Sequence, residues 1–347
     1  MKKLPVAILG ATGMVGQKFL ELLQDHPWFE IQELGASINN EKKKLKDVPN
    51  LKNKHLLSSN ILNIELKVCE PNFSSPLIFS ALDSTVAYEI EEKFRNAGYT
   101  VISNASAHRM SDFVPLIIPE VNPEHLSLVS FQENGQIITN PNCSTIGLCL
   151  ALKPLIDLFD VDQVHVTTMQ AISGAGYPGV ASLDILDNVI PFISNEEEKL
   201  ENEPLKIFGT LHEKNIFPRS LKISAQCNRV AVQDGHTACI SLSLKKQSSI
   251  DQIIKAWNDY QGLPQKLNLP SAPKKPVIYL EDPSYPQPKL HRSLENGMAV
   301  SIGRLRKCPI LDYKFTILSH NTIRGAAGST ILIGELLYSL NKVIKRF

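Results

Sequence analysis

A cysteine at the opening of a helix is the residue in this chain whose type and place best suit nucleophilic chemistry. Thr139-Asn140-Pro141-Asn142-Cys143-Ser144-Thr145 reads as strand, turn and helix. A thiol in a first helical turn lies beside amides without intrahelical partners, which favour thiolate and lower the thiol pKa. The plainer alternative is a small buried residue, the reading that suits Cys149 on the same helix. A thiolate also needs an acid or base and a group that orients the substrate. The segment Cys227 to Thr237, CNRVAVQDGHT, offers both. With Asp234-Gly235 as a two-residue hairpin turn, Gln233 faces His236, and alternation puts Arg229 on their side of the sheet. Arg229 and His236 would then line one pocket, roughly 13 Å apart along the hairpin at ~3.3 Å per residue, with the guanidinium reaching inward across a small substrate.

A second signal is Gly10-Ala11-Thr12-Gly13-Met14-Val15-Gly16, directly after an apolar strand and opening a helix. Glycines permit a tight turn and close approach of a phosphate, whose charge meets free amides and the positive end of the helix dipole. The GxxGxxG spacing alone leaves a plain tight turn open; the strand-turn-helix setting favours a dinucleotide. The second strand ends Gly35-Ala36-Ser37-Ile38-Asn39 without a carboxylate, Glu33 lying inside the strand. Ser37 with Lys42, Lys43 or Lys44 could therefore receive a 2′-phosphate, which favours NADP over NAD. The loop Ser173 to Gly179 follows a strand carrying Gln170 and reads equally as room for a nicotinamide or as a flexible turn. Glu196, Lys199 and Glu203 share one side of a helix, on spacing alone a salt-bridged solvated face. No HExxH or clustered Cys/His spacing points to a metal.

The elements that must position these residues fall into two textures. Up to Thr139 short apolar runs alternate with amphipathic ones, the pattern of a parallel sheet covered by helices. Strands are expected at Pro5 to Gly10, Ile31 to Ser37, Leu66 to Cys69, Leu77 to Ala81, Thr100 to Ser103 and Gln136 to Thr139, with helices from near Met14 and Thr85. Val15, Phe19, Leu22 and Leu23 have the spacing to pack the first helix on the sheet. Glu41 to Lys46 reads as a solvated loop. Beyond Cys143 a helix from Thr145 ends near Pro154, and β-branched strands follow at Gln163 to Ala171, Leu221 to Val232 and His236 to Leu244. A polar helix spans Asn195 to Lys206, Pro264 to Pro288 reads as a loop, and Ala326 to Ile344 is apolar at helical spacing. The fold class is α/β: a Rossmann-type dinucleotide-binding domain plus an α+β second domain.

Composition narrows the partners. The 347 residues suit two domains at ~150 residues each. With 36 Lys+Arg against 35 Asp+Glu, the net charge of +1 supplies no long-range field for nucleic acid or an anionic membrane. A small molecule is the expected partner. The six cysteines lack CxxC pairs, as in a reduced cytoplasmic protein. The apolar run after Met1-Lys2-Lys3 stops at Gly10 and reads as a first strand rather than a signal peptide. No stretch approaches the ~20 apolar residues of a membrane span.

Taken in order, GATGMVG (Gly10 to Gly16), PEVN (Pro119 to Asn122), NPNCST (Asn140 to Thr145), SGAG (Ser173 to Gly176), EEEK (Glu196 to Lys199), NRVAVQDGHT (Asn228 to Thr237) and NTIRGAAG (Asn321 to Gly328) form a specific set. By these motifs the chain resembles the aspartate-semialdehyde dehydrogenase family almost end to end, most of all the branch shared by archaea, fungi and some bacteria. The resemblance implies a reversible NADP- and phosphate-dependent conversion of L-aspartate 4-semialdehyde to L-4-aspartyl phosphate through a cysteine thioester, in lysine, methionine and threonine biosynthesis. By matching position, Cys143 would attack the carbonyl or acyl-phosphate carbon, His236 would act as general acid/base and accept the hydroxyl proton, and Gln170 would position the reacting group. Arg229 would clamp the substrate α-carboxylate and Glu196 its amino group, while Lys199, Arg109 and Asn142 would hold inorganic phosphate. Gly10, Thr12, Gly13, Met14, Val15, Gly16, Ser37, Ser173, Gly174 and Asn321 would bind NADP.

It further implies that residues 1–142 and 321–347 form the NADP-binding domain and residues 143–320 a catalytic and dimerisation domain, in a homodimer or homotetramer. One departure is that Ser37 is followed by Ile38, where relatives often carry Arg. The competing readings are a malonyl-CoA (acyl-CoA) reductase of the same fold, an N-acetylglutamyl-phosphate reductase, against which the acidic Glu196 speaks, and a non-catalytic dinucleotide sensor.

Overall fold

The computed structural model describes residues 3–344; the extreme ends assigned above to the NADP-binding domain, residues 1–2 and 345–347, lie outside the described residues. The first part of the chain runs β1 (Leu4–Leu9), α1 (Met14–Leu23), β2 (Phe29–Ala36), α2 (Ser59–Leu62), β3 (Leu66–Val68), β4 (Leu77–Ser80), α3 (Ser84–Asn96), β5 (Thr100–Ser103) and β6 (Gln136–Thr139). Its strands form one parallel sheet in the order β3-β2-β1-β4-β5-β6. The apolar runs of β1, β4 and β5 are buried, as strands covered on both faces require. Phe19, Leu20 and Leu23 of α1 join the core on one face. Strand order reverses between β1 and β4, and ligands of doubly wound sheets bind in the crevice beyond the carboxyl ends of such a pair.

The remainder comprises α4 (Cys143–Phe159), β7 (Val161–Gln170), α5 (Ser182–Ile185), β8 (Val189–Ile190), α6 (Glu196–Ile207), β9 (Thr210–His212), β10 (Asn215–Phe217), β11 (Lys222–Val230), β12 (His236–Leu244), α7 (Ile250–Asn258), α8 (Leu263–Lys266), β13 (Val277–Leu280), α9 (Pro288–His291), β14 (Val300–Lys307), β15 (Tyr313–Ser319) and α10 (Gly328–Ser339). A mixed sheet orders these strands β13-β14-β15-β12-β7-β11-β8, with β9 and β10 as a separate ribbon. Helix α4 lies against this sheet and is buried nearly all round. Helix α10 packs instead on the first sheet, where a Cβ on Gly334 would meet the Phe79 ring at 2.9 Å.

Four expectations change. Strands β11 and β12 form no hairpin: β7 lies between them, parallel to β11 and antiparallel to β12. Alternation specified which side chains share a face but not which strand is the neighbour. Helix α4 continues through Pro154 to Phe159 and stops at Asp160, whose φ is +56°. Proline removes one donor from a helix interior, and here eleven other buried residues along α4 keep the helix packed across that gap. The expected Pro264 to Pro288 loop contains α8 and β13, the latter paired in parallel with β14. The last helix ends at Ser339, short of Ile344.

Candidate active site

Cys143 is the first residue of α4, and Asn142 caps that helix: its Oδ1 accepts the N–H groups of Ser144 and Thr145 at 2.9 and 3.3 Å. The amides expected to stabilise a thiolate are therefore already engaged. Enclosure by protein, reinforced by Glu196, pushes the Cys143 thiol up to about 12 despite the opposing pull of Arg109, Arg229 and Lys199. Burial and a nearby carboxylate thus raise the thiol, opposite to the lowering expected from the helix position alone.

The Sγ of Cys143 lies 3.2 Å from His236 Nε2. On the far side of the ring Nδ1 accepts the Ala171 N–H at 3.0 Å. A nitrogen that accepts carries no proton, so the neutral imidazole holds its proton on Nε2, facing the sulfur. Burial, with Arg229 and His320 nearby, depresses the imidazole to about 3 and keeps it neutral. The resting pair is a thiol and a neutral imidazole that donates, rather than an imidazole poised as base.

The ends of three strands converge here. Gln170 closes β7, Arg229 pairs with it in register on β11, and His236 opens β12 on the opposite flank. A Cβ on Gly174 would meet Arg229 Nη1 at 2.8 Å and His236 Cε1 and Nε2 at 3.0 and 3.1 Å, so both side chains press on one glycine. The two side chains thus meet at one place although β7 separates their strands. Arg229 is buried and gives one bond to the Ala171 carbonyl at 2.8 Å.

Helix α6 forms the opposite wall. Glu196 is buried and accepts from Asn142 Nδ2 at 2.9 and 3.1 Å, Gln170 Nε2 at 3.1 Å and Lys199 Nζ at 3.0 Å. The helix face is thus turned inward, and the solvated reading suggested by spacing alone does not hold. Glu203, also buried, accepts from Arg109 Nη1 at 2.9 Å and from the Asn142 backbone N–H at 2.7 Å. Arg109 further donates Nε to the Asn140 carbonyl and Nη2 to that of Asn104, each at 2.9 Å. Three of its five N–H groups are committed, leaving two for a ligand.

A cavity of about 330 Å³ runs from this cluster to the crevice beyond β1 and β4. Its lining includes Cys143, Arg109, Lys199, Gly174, Asn321 and Met14. Gly10 has φ +73°, and a Cβ there would lie 2.5 Å from the Ala81 carbonyl oxygen; one on Gly16 would lie 2.1 Å from that of Gly10. Gly13 is different: a Cβ would meet only Gly10 O at 3.4 Å, so packing does not require glycine and the space beside the uncapped start of α1 stays free for a ligand. That cradle fits a dinucleotide pyrophosphate. Glu33 takes no part, because Lys67, Ser74 and Ser75 bind its carboxylate and, against the effect of burial, hold it near 2. Asn321 links the two ends of the cavity wall, accepting the Gly235 N–H and donating to Ser173 Oγ, both at 2.8 Å.

The structure therefore gathers Cys143, Gln170, Glu196, Lys199, Arg109 and Asn142 around one space, with Met14, Val15, Ser173, Gly174 and Asn321 along its wall and His236 and Arg229 set against Cys143 and Gly174. Gly10, Thr12, Gly13 and Gly16 form the turn above it, while Ser37 is exposed and not part of the lining. Sequence reasoning missed the tether at Glu203, the wall from Leu82 to Ser84 after β4, and Gly325, where a Cβ would lie 2.6 Å from that of Cys143. Gly325 stood in a quoted motif and Glu203 shared a helix side with Glu196 by spacing, though read as solvated; nothing in the spacing marked Leu82 to Ser84. Among the described residues no group of His, Cys, Asp or Glu could hold a metal ion, and no helix is long and apolar enough to cross a membrane.

Comparison with known proteins matches two family models: the semialdehyde dehydrogenase NAD binding domain over residues 5–129 and the semialdehyde dehydrogenase dimerisation domain over residues 152–324. The aspartate-semialdehyde dehydrogenase of Archaeoglobus fulgidus is 46% identical over 338 residues, 96% of this chain and 97% of that protein. That of Saccharomyces cerevisiae is 46% identical over 357 aligned positions, 97% of this chain and 98% of its own. A crystal structure of aspartate-semialdehyde dehydrogenase with NADP from Candida albicans superposes with a TM-score of 0.91 at 43% identity, covering 97% of this chain and 99% of that one.

Proposed function

The chain belongs to the aspartate-semialdehyde dehydrogenase family, and from that premise we propose that it interconverts L-aspartate 4-semialdehyde and L-4-aspartyl phosphate with NADP and inorganic phosphate. The observation that carries the reading is the Cys143–His236 contact at 3.2 Å, with Arg229 against the same glycine as His236. NADP, when bound in the crevice, supplies the hydride acceptor.

In the oxidative direction the Cys143 thiol loses its proton to water in the open cavity, and the sulfur forms a C–S bond to the aldehyde carbon. The Nε2–H of His236 donates first to the thiolate and then to the oxyanion of the adduct, stabilising charge where it develops. The C–H bond breaks as the hydride departs, leaving a thioester on Cys143. An oxygen of phosphate, held by Lys199, Arg109 and Asn142, attacks the acyl carbon; the C–S bond breaks and the thiolate leaves. Thioesters remain reactive to such attack, which suits cysteine to both halves. Arg229 reads the α-carboxylate with paired N–H groups. Glu196, ringed by three donors, presents a fixed negative charge to the ammonium group. Gln170 orients the reacting carbonyl.

Ser37 at the end of β2, with no free carboxylate beside it, supports NADP over NAD. We place the cofactor unit at residues 1–142 and 321–347 and the catalytic unit at 143–320. The dimerisation-domain match supports an oligomer, which we take to be a homodimer or homotetramer, and we assign it to the cytoplasm.

Purified protein mixed with aspartate semialdehyde, NADP and phosphate should form NADPH only when phosphate is present. No phosphate-dependent NADPH formation by folded protein defeats the proposal, and phosphate-independent reduction of malonyl-CoA with NADPH would replace it. Equal catalytic efficiency with NAD would sink the cofactor preference.

A further inference from the structure

Helix α6 carries more than the two residues that face the substrate. Glu203 lies two turns beyond Glu196, 3% exposed. One of its oxygens accepts Arg109 Nη1–H at 2.9 Å and the other accepts the backbone N–H of Asn142 at 2.7 Å. A single carboxylate therefore spans the cation on the cavity wall and the residue that immediately precedes the nucleophile. One turn further, Lys206 donates to the carbonyls of Arg109, Ser111 and Val114 at 2.7, 3.0 and 3.0 Å. The segment after β5 that carries Arg109 thus takes its position from α6, and so does the first turn of α4.

We propose that Glu203 is a positioning residue for the phosphate-dependent half of the reaction, fixing Arg109 and the start of the Cys143 helix at one set spacing. The inference rests on the phosphate reading above. Both partners of Glu203 are donors, and each takes a different carboxylate oxygen, an arrangement that needs an acceptor at both positions. A glutamine offers one acceptor and one amide, so either Arg109 or the Asn142 N–H would face another donor. Either loss lets the anion site move relative to the sulfur, and a shift of about 1 Å between reacting groups can cost about a hundredfold in rate.

The experiment compares wild type with Glu203→Gln in two readouts. In steady state, the variant should raise the phosphate KM about tenfold or more while the NADP KM stays within about twofold. Independently of turnover, phosphate should protect Cys143 from iodoacetamide, read by mass spectrometry of the modified peptide, and half-protection of the variant should need about tenfold more phosphate. A purely structural role would lower the melting temperature and leave both phosphate readouts unchanged; that result overturns the proposal, as does no change at all. If the Gln variant does not fold, Glu203→Asp keeps the charge but is one methylene too short to span both donors. The same rise is expected from it, and an unchanged phosphate KM overturns the proposal equally. Wild type that shows no phosphate dependence and no protection defeats the functional reading and this inference with it. Normal wild-type behaviour with an unaltered variant defeats the inference alone.

Discussion

His236 approaches Cys143 as a donor: its Nε2 stands 3.2 Å from Sγ while its Nδ1 is occupied by the Ala171 N–H at 3.0 Å. An imidazole fixed in this tautomer cannot take the thiol proton at Nε2 without first losing its own. Burial also favours the neutral form of both partners, raising the thiol to about 12 and depressing the imidazole to about 3. Only a small fraction of Cys143 is then thiolate at neutral pH, and that fraction grows about tenfold per pH unit until the pKa is reached. The rate of Cys143 alkylation by iodoacetamide in the absence of substrate should accordingly climb from pH 6 to pH 10 without levelling. A plateau beginning near pH 6 or 7 would reveal a thiolate–imidazolium pair and refute the neutral tautomer assigned to His236.

Cys143→Ser should remove turnover, by about a thousandfold or more, since a hydroxyl is a poor nucleophile without a base and its ester a poorer donor to phosphate. The side chain faces the cavity and, among the described residues, makes no hydrogen bond besides the one to His236, so the melting temperature should hardly move. Steady-state assays and a thermal melt decide it together. Substantial residual activity in a folded variant takes Cys143 out of the mechanism.

Gly174→Ala tests whether the Gly-rich loop serves catalysis or is merely a turn. The added methyl group would meet Arg229 Nη1 at 2.8 Å and His236 at 3.0 to 3.1 Å, and both groups must give way. Because Gly174 lies on an exposed loop, the displacement falls on the site rather than on the core. A drop in kcat/KM of about ten- to a hundredfold is expected, with little change in denaturation midpoint. Full activity in this variant would mean that Arg229 and His236 need not hold the positions the structure gives them.

These tests probe residues that differ in how openly the sequence declared them. The parallel sheet was legible because buried strands read as continuous apolar runs, and Gly10 and Gly16 are tied to a fixed turn by local geometry. Cys143, Arg229 and His236 were legible as candidates, yet their mutual placement was not. Strand β7 inserts between β11 and β12, a choice of neighbour made by tertiary packing that no local alternation encodes. Glu196 and Glu203 show the same limit: three charges on one helix face look solvated until Asn142, Gln170 and Arg109 arrive from elsewhere in the chain to bind them. The raised thiol of Cys143 was likewise invisible, since the helix position is local and the enclosing protein is not.

Acid should weaken this fold earlier than a balanced charge suggests. Burial holds His236 near 3 and His320 near 4, whereas both titrate at about 6.5 in the unfolded chain. Between those values the unfolded state binds protons that the folded state refuses, so stability is fully present above about pH 6.5 and is lost as pH falls. His108 and His125 are depressed by burial in the same sense. Glu91 opposes them: buried between α3 and the ends of β4 and β5, its carboxyl is raised to about 7, and its proton uptake favours the folded state as pH falls from 7 toward 4.5. Setting Glu91 against His236 and His320 leaves at least one group in excess, a slope of about 1.4 kcal/mol per pH unit between about pH 6.5 and 4.5. Urea denaturation at pH 7, 6 and 5 should show the midpoint falling at each step, and His236→Gln should flatten the decline. A midpoint that holds or rises on acidification would mean that these imidazoles are protonated in the folded protein, and with them the donor tautomer of His236 would be lost.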